Sequence, residues 1–229
     1  MKRVCHITTV HPVDDHRILH KECASLRDAG YDVTLIAPHD EDVVLDGVSV
    51  VALRGTARNR VERMLRRPIA AYRAAAAVDA DLYHFHDPEL LPCGVRLARA
   101  GKRVVYDAHE DVPTQIRSKE WIPVAARASV ARSFARLEAA CVARLDAVVS
   151  PSPAALDRLR PRQARVALIA NYPRLSSSSS RAIASPSSRG DPCGTDTPQS
   201  CASRIARQRG TSVAMTGNPA AMYSNSLTG

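Results

Sequence analysis

The chain has 229 residues, 45% of them hydrophobic and 24% charged, with a formal net charge of +9. That much apolar side chain excludes a wholly disordered or collagen-like protein, and no apolar run approaches the roughly 18 residues of a membrane span. The start, Met1 to Pro12, is basic but broken by His6, Thr8, Thr9 and His11, so it lacks the apolar core of a secretory signal.

In chain order, Arg3 to Val10 is a β-branched run without charge after Arg3 and reads as a buried strand. Asp14 and Asp15 supply capping oxygens for a helix from about His16 to Ala29, whose residues Ile18, Leu19, Cys23 and Leu26 share one face. Gly30 is placed to end it. Tyr31 to Ala37 and Gly47 to Leu53 follow as strands. Arg58 to Val78 is helical in composition, with Pro68 a point of kinking or breakage. Leu82 to His86 is a strand, Pro88 to Ala100 a helix, and Arg103 to Ala108 the next strand. A long helix from Pro123 to Leu145, a strand at Ala147 to Ser150, a short helix at Pro153 to Leu159 and a strand at Val166 to Ala170 complete the series. Strands alternating with helices at this spacing predict an α/β fold. Its parallel sheet is Rossmann-like, with helices on both faces.

Composition changes sharply near residue 175. Seven serines lie before that point and thirteen after it, starting with Ser176 to Ser180, while the last glutamate is Glu138 and the last lysine Lys119. The segment 174–229 mixes Ser, Arg, Pro, Thr, Gly and Ala and carries no strand-like apolar run. It is expected to be a low-complexity tail, disordered or the product of a shifted reading frame, beside a single domain over 1–173. Cys5, Cys23, Cys93 and Cys141 sit in apolar stretches and no C-x-x-C pair occurs, which fits buried, reduced thiols and a cytoplasmic location.

Ligands of a parallel sheet bind outside the carboxyl ends of its strands, so the residues that follow each strand are where function is sought. They are rich in histidine and acid: Thr8, Thr9 and His11; His39 and Asp40; His84, His86, Asp87 and Glu89; Asp107, His109, Glu110 and Asp111; and Asn171. His84 and His86 share one face of a strand. They read either as a pair of metal ligands or as one histidine packed against a helix and one at the cleft. Asp107-Ala-His-Glu-Asp111 ends a strand, where a histidine can donate to a sugar hydroxyl or phosphate and its carboxylate neighbours can orient it or cap the next helix. Neither G-x-G-x-x-G nor a P-loop is present. Aromatic residues make up only 4% of the chain and do not interleave with its basic residues, which argues against nucleic-acid binding.

These residues carry a resemblance. His6-Ile-Thr-Thr-Val-His11, Asp15-x-Arg17-Ile18-x-x-Lys21-Glu22 and Ala29-Gly30-Tyr31-x-Val33-Thr34-Leu35-Ile36-Ala37 resemble the opening of bacterial glycosyltransferases of family 4. Tyr83-His-Phe-His-Asp-Pro-Glu-Leu90, Tyr106-Asp-Ala-His-Glu-Asp-Val-Pro113, Asp146-Ala-Val-Val149 and Ile169-Ala-Asn-Tyr-Pro173 extend the resemblance in order along the chain. It implies the N-terminal, acceptor-side half of a GT-B fold and retaining transfer from a nucleotide-sugar donor to a cell-surface glycan or glycolipid. It implies no bound cofactor and no metal. By the same resemblance His109 lies at the reacting centre as the catalytic residue. Asp15, Arg17, His86, Asp87, Glu89, Asp107 and Glu110 are expected to line the substrate cleft.

The first loop lacks the paired glycines common in relatives, and His16 stands where threonine is more usual. The family's donor domain carries an E-x7-E motif, and no glutamate follows Glu138. The chain is therefore expected to be weakly active or inactive alone. The alternative is a non-catalytic module that binds an acceptor or a partner. Arg58, Arg60, Arg63, Arg66 and Arg67, and the basic stretch from Arg117 to Arg136 around Trp121, Ile122 and Phe134, suggest contact with an anionic membrane surface at the inner face of the plasma membrane.

Overall fold

The computed structural model describes residues 2–55 and 60–169, with the backbone alone for 60–63. Eight strands form one sheet: β1 (Arg3–Ile7), β2 (Asp32–Ala37), β3 (Val43–Leu45), β4 (Val48–Ala52), β5 (Leu82–Phe85), β6 (Arg103–Asp107), β7 (Ala147–Ser150) and β8 (Val166–Leu168). Their spatial order is β3-β4-β2-β1-β5-β6-β7-β8, and every neighbouring pair is parallel except β3 with β4. The α/β Rossmann-like expectation holds.

Alternation along each strand sends side chains to two different layers. Cys5 and Ile7 of β1, Tyr83 and Phe85 of β5, and Val104 and Tyr106 of β6 face one layer. There they meet helices α2 (Arg60–Val78), α3 (Leu91–Arg99, entered through a 3-10 turn at Pro88–Leu90), α5 (Val124–Val142) and α6 (Pro153–Leu159). Val4, Leu35, Leu82, Val105 and Val149 face the other layer, against Ile18, Leu19, Cys23 and Leu26. These last four belong to α1, which is wound as a π-helix over Ile18–Cys23 and as an α-helix over Ala24–Asp28. The apolar face predicted for this helix is the buried one.

Three local features differ from the sequence reading. β3 joins β4 as a hairpin through the two-residue turn Asp46-Gly47, both at positive φ (49° and 74°), which is the geometry an Asp-Gly turn adopts. A further helix, α4 (Val112–Ser118), lies between β6 and α5. Asp111 precedes it and accepts from Thr114 Oγ1 at 2.7 Å. Pro68 sits inside α2 without ending it. It lies where Met64, Leu65 and Ile69 are exposed, so water can take the carbonyl that proline leaves without a donor. Arg58, Ala170, Asn171, Cys193, Cys201 and the whole segment 174–229 fall outside the described residues. Cys5, Cys23, Cys93 and Cys141 are buried free thiols, and burial raises the pKa of each, Cys93 to about 12.

Helix and sheet approach closely at Gly94 of α3, where a Cβ would stand 2.4 Å from the Phe85 ring of β5. Phe85 is itself stacked on Tyr106, with ring centroids 4.9 Å apart. Gly94→Ala is therefore expected to destabilise the domain by about 1–3 kcal/mol through overpacking, despite the better helix propensity of alanine. Urea unfolding would register this as a lower midpoint. An unchanged or higher midpoint would show that α3 can shift to admit the methyl group.

Candidate functional site

From β1 the chain runs outward to β2 and β4, and after α2 it runs outward from β5 to β6, β7 and β8 on the other side. The crevice outside the carboxyl ends of β1 and β5 is thus the point where the winding reverses, the usual ligand position of an open parallel sheet. The loops after β1, β5 and β6 all meet there.

Asp87, buried after β5, organises the loop that follows β1. Its Oδ2 accepts from Thr8 Oγ1 at 2.8 Å and from the Thr9 backbone N–H at 2.6 Å. Thr9 Oγ1 donates to Glu89 Oε1 at 2.8 Å. Thr8 Oγ1 in turn accepts from the His11 backbone N–H at 3.1 Å, and Arg67 of α2 donates to the Thr9 carbonyl at 2.7 Å. The loop is therefore held on both sides without glycine.

Asp15 opens the next segment. Its Oδ1 accepts from the backbone N–H groups of Arg17 and Ile18, both at 2.9 Å, as an N-cap does. The π-winding that follows carries a Glu22 N–H to Arg17 carbonyl bond of 3.0 Å, so residues five apart lie one above the other. Arg17 Nε then reaches Glu22 Oε1 at 3.1 Å. The same guanidinium donates twice to Asp107 Oδ2, from Nε at 3.0 Å and from Nη2 at 2.9 Å. Burial opposes the charge on Arg17, but Asp107 and Glu22 outweigh it and its pKa lies above the ordinary arginine value.

Beneath Arg17 is a cluster of buried imidazoles. His6 of β1 stands opposite His84 of β5 in the parallel register, with ring centroids 4.7 Å apart. His6 Nδ1 and His86 Nε2 are 3.0 Å apart, and His86 Nδ1 lies 3.3 Å from Asp107 Oδ2. Burial lowers the pKa of all three rings, that of His6 to about 3 against the pull of Asp107. Burial also raises the Glu22 carboxyl well above its ordinary value, with Asp107 adding to the effect and Arg17 opposing it.

Above this layer His11, Asp15, Arg17 and His109 are partly exposed. His109 Nε2 lies 3.2 Å from His11 Nε2, and His109 Nδ1 is 3.7 Å from Asp107 Oδ2. His11 also approaches Asp15 at 3.4 Å and Asp87 at 3.6 Å.

Of the residues singled out in the sequence, Asp15, Arg17, His86, Asp87, Glu89, Asp107 and His109 come together at this edge, and Glu110 is exposed beside His109. His86, Asp87 and Asp107 are buried beneath the others. His84 and His86 do share a face, and both are buried rather than one standing at the cleft. His11, singled out with the residues that follow β1, joins the cluster as well, and His6 and Glu22 join it unannounced. His6 could have been found from its register with His84, whereas Glu22 could not, since an ordinary α-helix would turn it well away from Arg17. An open basin of about 320 Å³ lined by Lys2, Ala80, Asp81, Gly101, Lys102 and Arg103 lies at the opposite, amino edge of β5 and β6 and holds none of these groups.

Residues 16–172 match the profile of Glycosyltransferase Family 4. Among solved structures the chain resembles sucrose-phosphate synthase from Thermosynechococcus elongatus, with a TM-score of 0.57 at 19% identity over 74% of this chain and 48% of that one. A second structure of that synthase matches with a TM-score of 0.50 at 16% identity, over 74% of this chain and 88% of that one. A UGT transferase from Siraitia grosvenorii, solved in complex with UDP, matches with a TM-score of 0.50 at 9% identity, over 78% of this chain and 53% of that one. The chain thus spans about half the length of the first and third of these. At such identities the likeness shows a shared GT-B-type fold. No curated protein matches the chain.

The buried imidazoles make stability depend on pH. Each is neutral in the folded protein and takes up a proton near pH 6.5 once unfolded, so their contribution is intact above pH 6.5 and is lost as pH falls. Glu22 runs the other way, because the folded state keeps a proton that the unfolded chain releases. Three uptakes against one release leave a net proton uptake on unfolding below about pH 6, so stability falls as pH falls. Urea unfolding in metal-free buffer should give a markedly lower midpoint at pH 5 than at pH 7. Equal midpoints would mean that the imidazoles are protonated in the folded state.

Proposed function

The chain belongs to glycosyltransferase family 4, and from that premise we propose that it supplies the acceptor-side face of a retaining transfer from a nucleotide-sugar to a cell-surface glycan or glycolipid. The supporting observation is the two-layer edge at the β1–β5 switch point. Partly exposed His11, Asp15, Arg17 and His109 stand over buried Asp87, His86 and Asp107, which fix them from below. Carboxylates and imidazoles held in this way match the alternating donors and acceptors of sugar hydroxyls, and pre-set polar groups are the main source of rate in such a site.

In this reading His109 meets the transferred sugar at the reacting centre. His11 and Asp107 flank its two ring nitrogens and set its orientation. Arg17 remains paired with Asp107 and offers its outer edge to the cleft, while Asp15, Glu89 and Glu110 supply acceptors along the rim. Donor phosphates need a facing domain with its own charged groups. This chain carries no glutamate after Glu138 from which an E-x7-E pair could be built. Binding of acceptor without transfer is therefore the expected behaviour of the chain alone.

Two measurements test this. Incubated with nucleotide-sugars and oligosaccharide acceptors, the chain should release no nucleotide above background, and release would overturn the expectation of inactivity. Ligand-observed NMR should detect acceptor oligosaccharides, with a loss of about tenfold or more in His109→Ala. Equal binding by the variant would remove His109 from the site. Stabilisation by a nucleoside diphosphate alone would move donor contacts onto this chain.

A glycolipid acceptor requires approach to a membrane surface. Among the described residues no helix is long and apolar enough to cross a membrane. The corner between α4 and α5 exposes Trp121 (64%) and Val124 (75%), with Arg117 and Lys119 exposed beside them. Ile122 and Phe134, also expected on this surface, turn inward, Ile122 buried and Phe134 packed on the core. Arg67 is spent on the Thr9 loop, and the side chains of Arg60 and Arg63 are outside the description. On this reading the surface offered to a membrane is narrower than the sequence suggests and centres on Trp121. Co-sedimentation with anionic phosphatidylglycerol vesicles should fall severalfold in Trp121→Ala/Val124→Ala. Binding that is absent in the parent chain, or unchanged in the variant, would remove this surface.

A further inference from the structure

The buried carboxylate oxygen Glu22 Oε2 has no hydrogen-bond partner among the described residues. It nevertheless faces three ring nitrogens, at 3.9 Å from His6 Nδ1, 3.8 Å from His84 Nδ1 and 3.8 Å from His86 Nε2. Those separations are too long for hydrogen bonds. They are close to what four ligands keep around a shared cation, since tetrahedral bonds of about 2.0–2.1 Å set ligand atoms about 3.3 Å apart. All four atoms lie within 4.8 Å of one another, and the residues bearing them are all buried.

We propose that His6, His84, His86 and Glu22 form a closed binding site for one divalent first-row metal ion, with Zn2+ the best fit. Three imidazoles and one carboxylate suit zinc over the all-oxygen shells of magnesium and calcium. The outer shell is also in place. His86 donates its other ring N–H toward Asp107 Oδ2 at 3.3 Å, which leaves Nε2 free to ligate, and the Arg17 guanidinium lies 3.1 Å from Glu22 Oε1. Binding requires the proton between His6 Nδ1 and His86 Nε2 to leave the site, by moving to His6 Nε2, and Glu22 to release its proton to solvent and ligate as the carboxylate. No electron is transferred.

The ligands come from β1, β5, the turn after β5 and the π-wound part of α1. Because the site is buried, with every position taken by protein, the ion would act as a clasp that sets Arg17 over the cleft. This goes beyond the glycosyltransferase reading, which requires no metal, and a failure of either leaves the other standing.

The test is to unfold the full chain and refold it with one equivalent of Zn2+ or Co2+, then desalt it. About one ion per chain should be retained, with the intense visible absorption of four-coordinate Co2+. X-ray absorption on the zinc form should show a nitrogen and oxygen shell with about three imidazoles and no sulfur, a readout that depends on no variant. Glu22→Gln should lower affinity about tenfold or more. His16→Ala/His20→Ala removes the exposed pair whose rings lie 5.8 Å apart and should leave retention unchanged. No retained ion in the parent chain would overturn the proposal. So would a shell containing sulfur, equal retention by Glu22→Gln, or loss of the ion in His16→Ala/His20→Ala.

Discussion

The pairing of Asp107 with Arg17 is the interaction on which the rest of the site depends. Asp107 is fully buried at the last residue of β6, where a lone carboxylate could not persist as a charge. Arg17 meets it with two donors at 2.9 and 3.0 Å, and His86 adds a third approach at 3.3 Å. Removing one partner of such a buried pair generally costs about 3–5 kcal/mol, because it strands the other charge. The sheet edge and the first helix are thus bound to each other across the mouth of the crevice, and the residues around them must accommodate that bond.

The accommodation is visible in the winding of α1. An α-helix would set residues five apart on different sides, and Arg17 could not then share Glu22 and Asp107. The π-turn over Ile18–Cys23 brings Glu22 under Arg17 while Ile18, Leu19 and Cys23 still reach the core, so one segment serves both an apolar layer and a polar cluster. The same division runs through β1 and β5. Cys5, Ile7, Tyr83 and Phe85 pack against α2 and α3, while His6 and His84 turn to the α1 side. A period of two residues therefore separates ordinary core from functional interior within a single strand.

Much of this was legible in the sequence, and the exceptions have physical causes. Parallel strands alternate with helices from Arg3 to Leu168 as the apolar runs predict, and the face of α1 falls where Leu19, Cys23 and Leu26 place it. The β3–β4 hairpin was signalled by Asp46-Gly47 but hidden by its three-residue first strand, too short to show alternation. Helix α4 was masked because Pro113 and a strand-end acidic cluster read as loop. At the site, residues that follow strands were found, since topology alone gathers carboxyl ends. Glu22 escaped because only a change of helical pitch brings it there. His6 escaped because its role depends on a neighbour 78 residues away.

The layering also explains why so polar an interior is tolerated. Three imidazoles beneath Arg17 would be ruinous if charged, but burial keeps them neutral, and a neutral ring loses far less by leaving water than an ion does. The formal charges at the mouth, Arg17 and Asp107, are confined to groups that touch each other. What reaches the cleft, chiefly His109 and His11, lies over Asp107 and Asp87 at 3.7 and 3.6 Å. A site built this way trades stability in acid for fixed geometry at neutral pH. For the acceptor binding proposed above, fixed geometry is an advantage, because hydrogen bonds already aimed at a sugar hydroxyl need no reorganisation when it arrives.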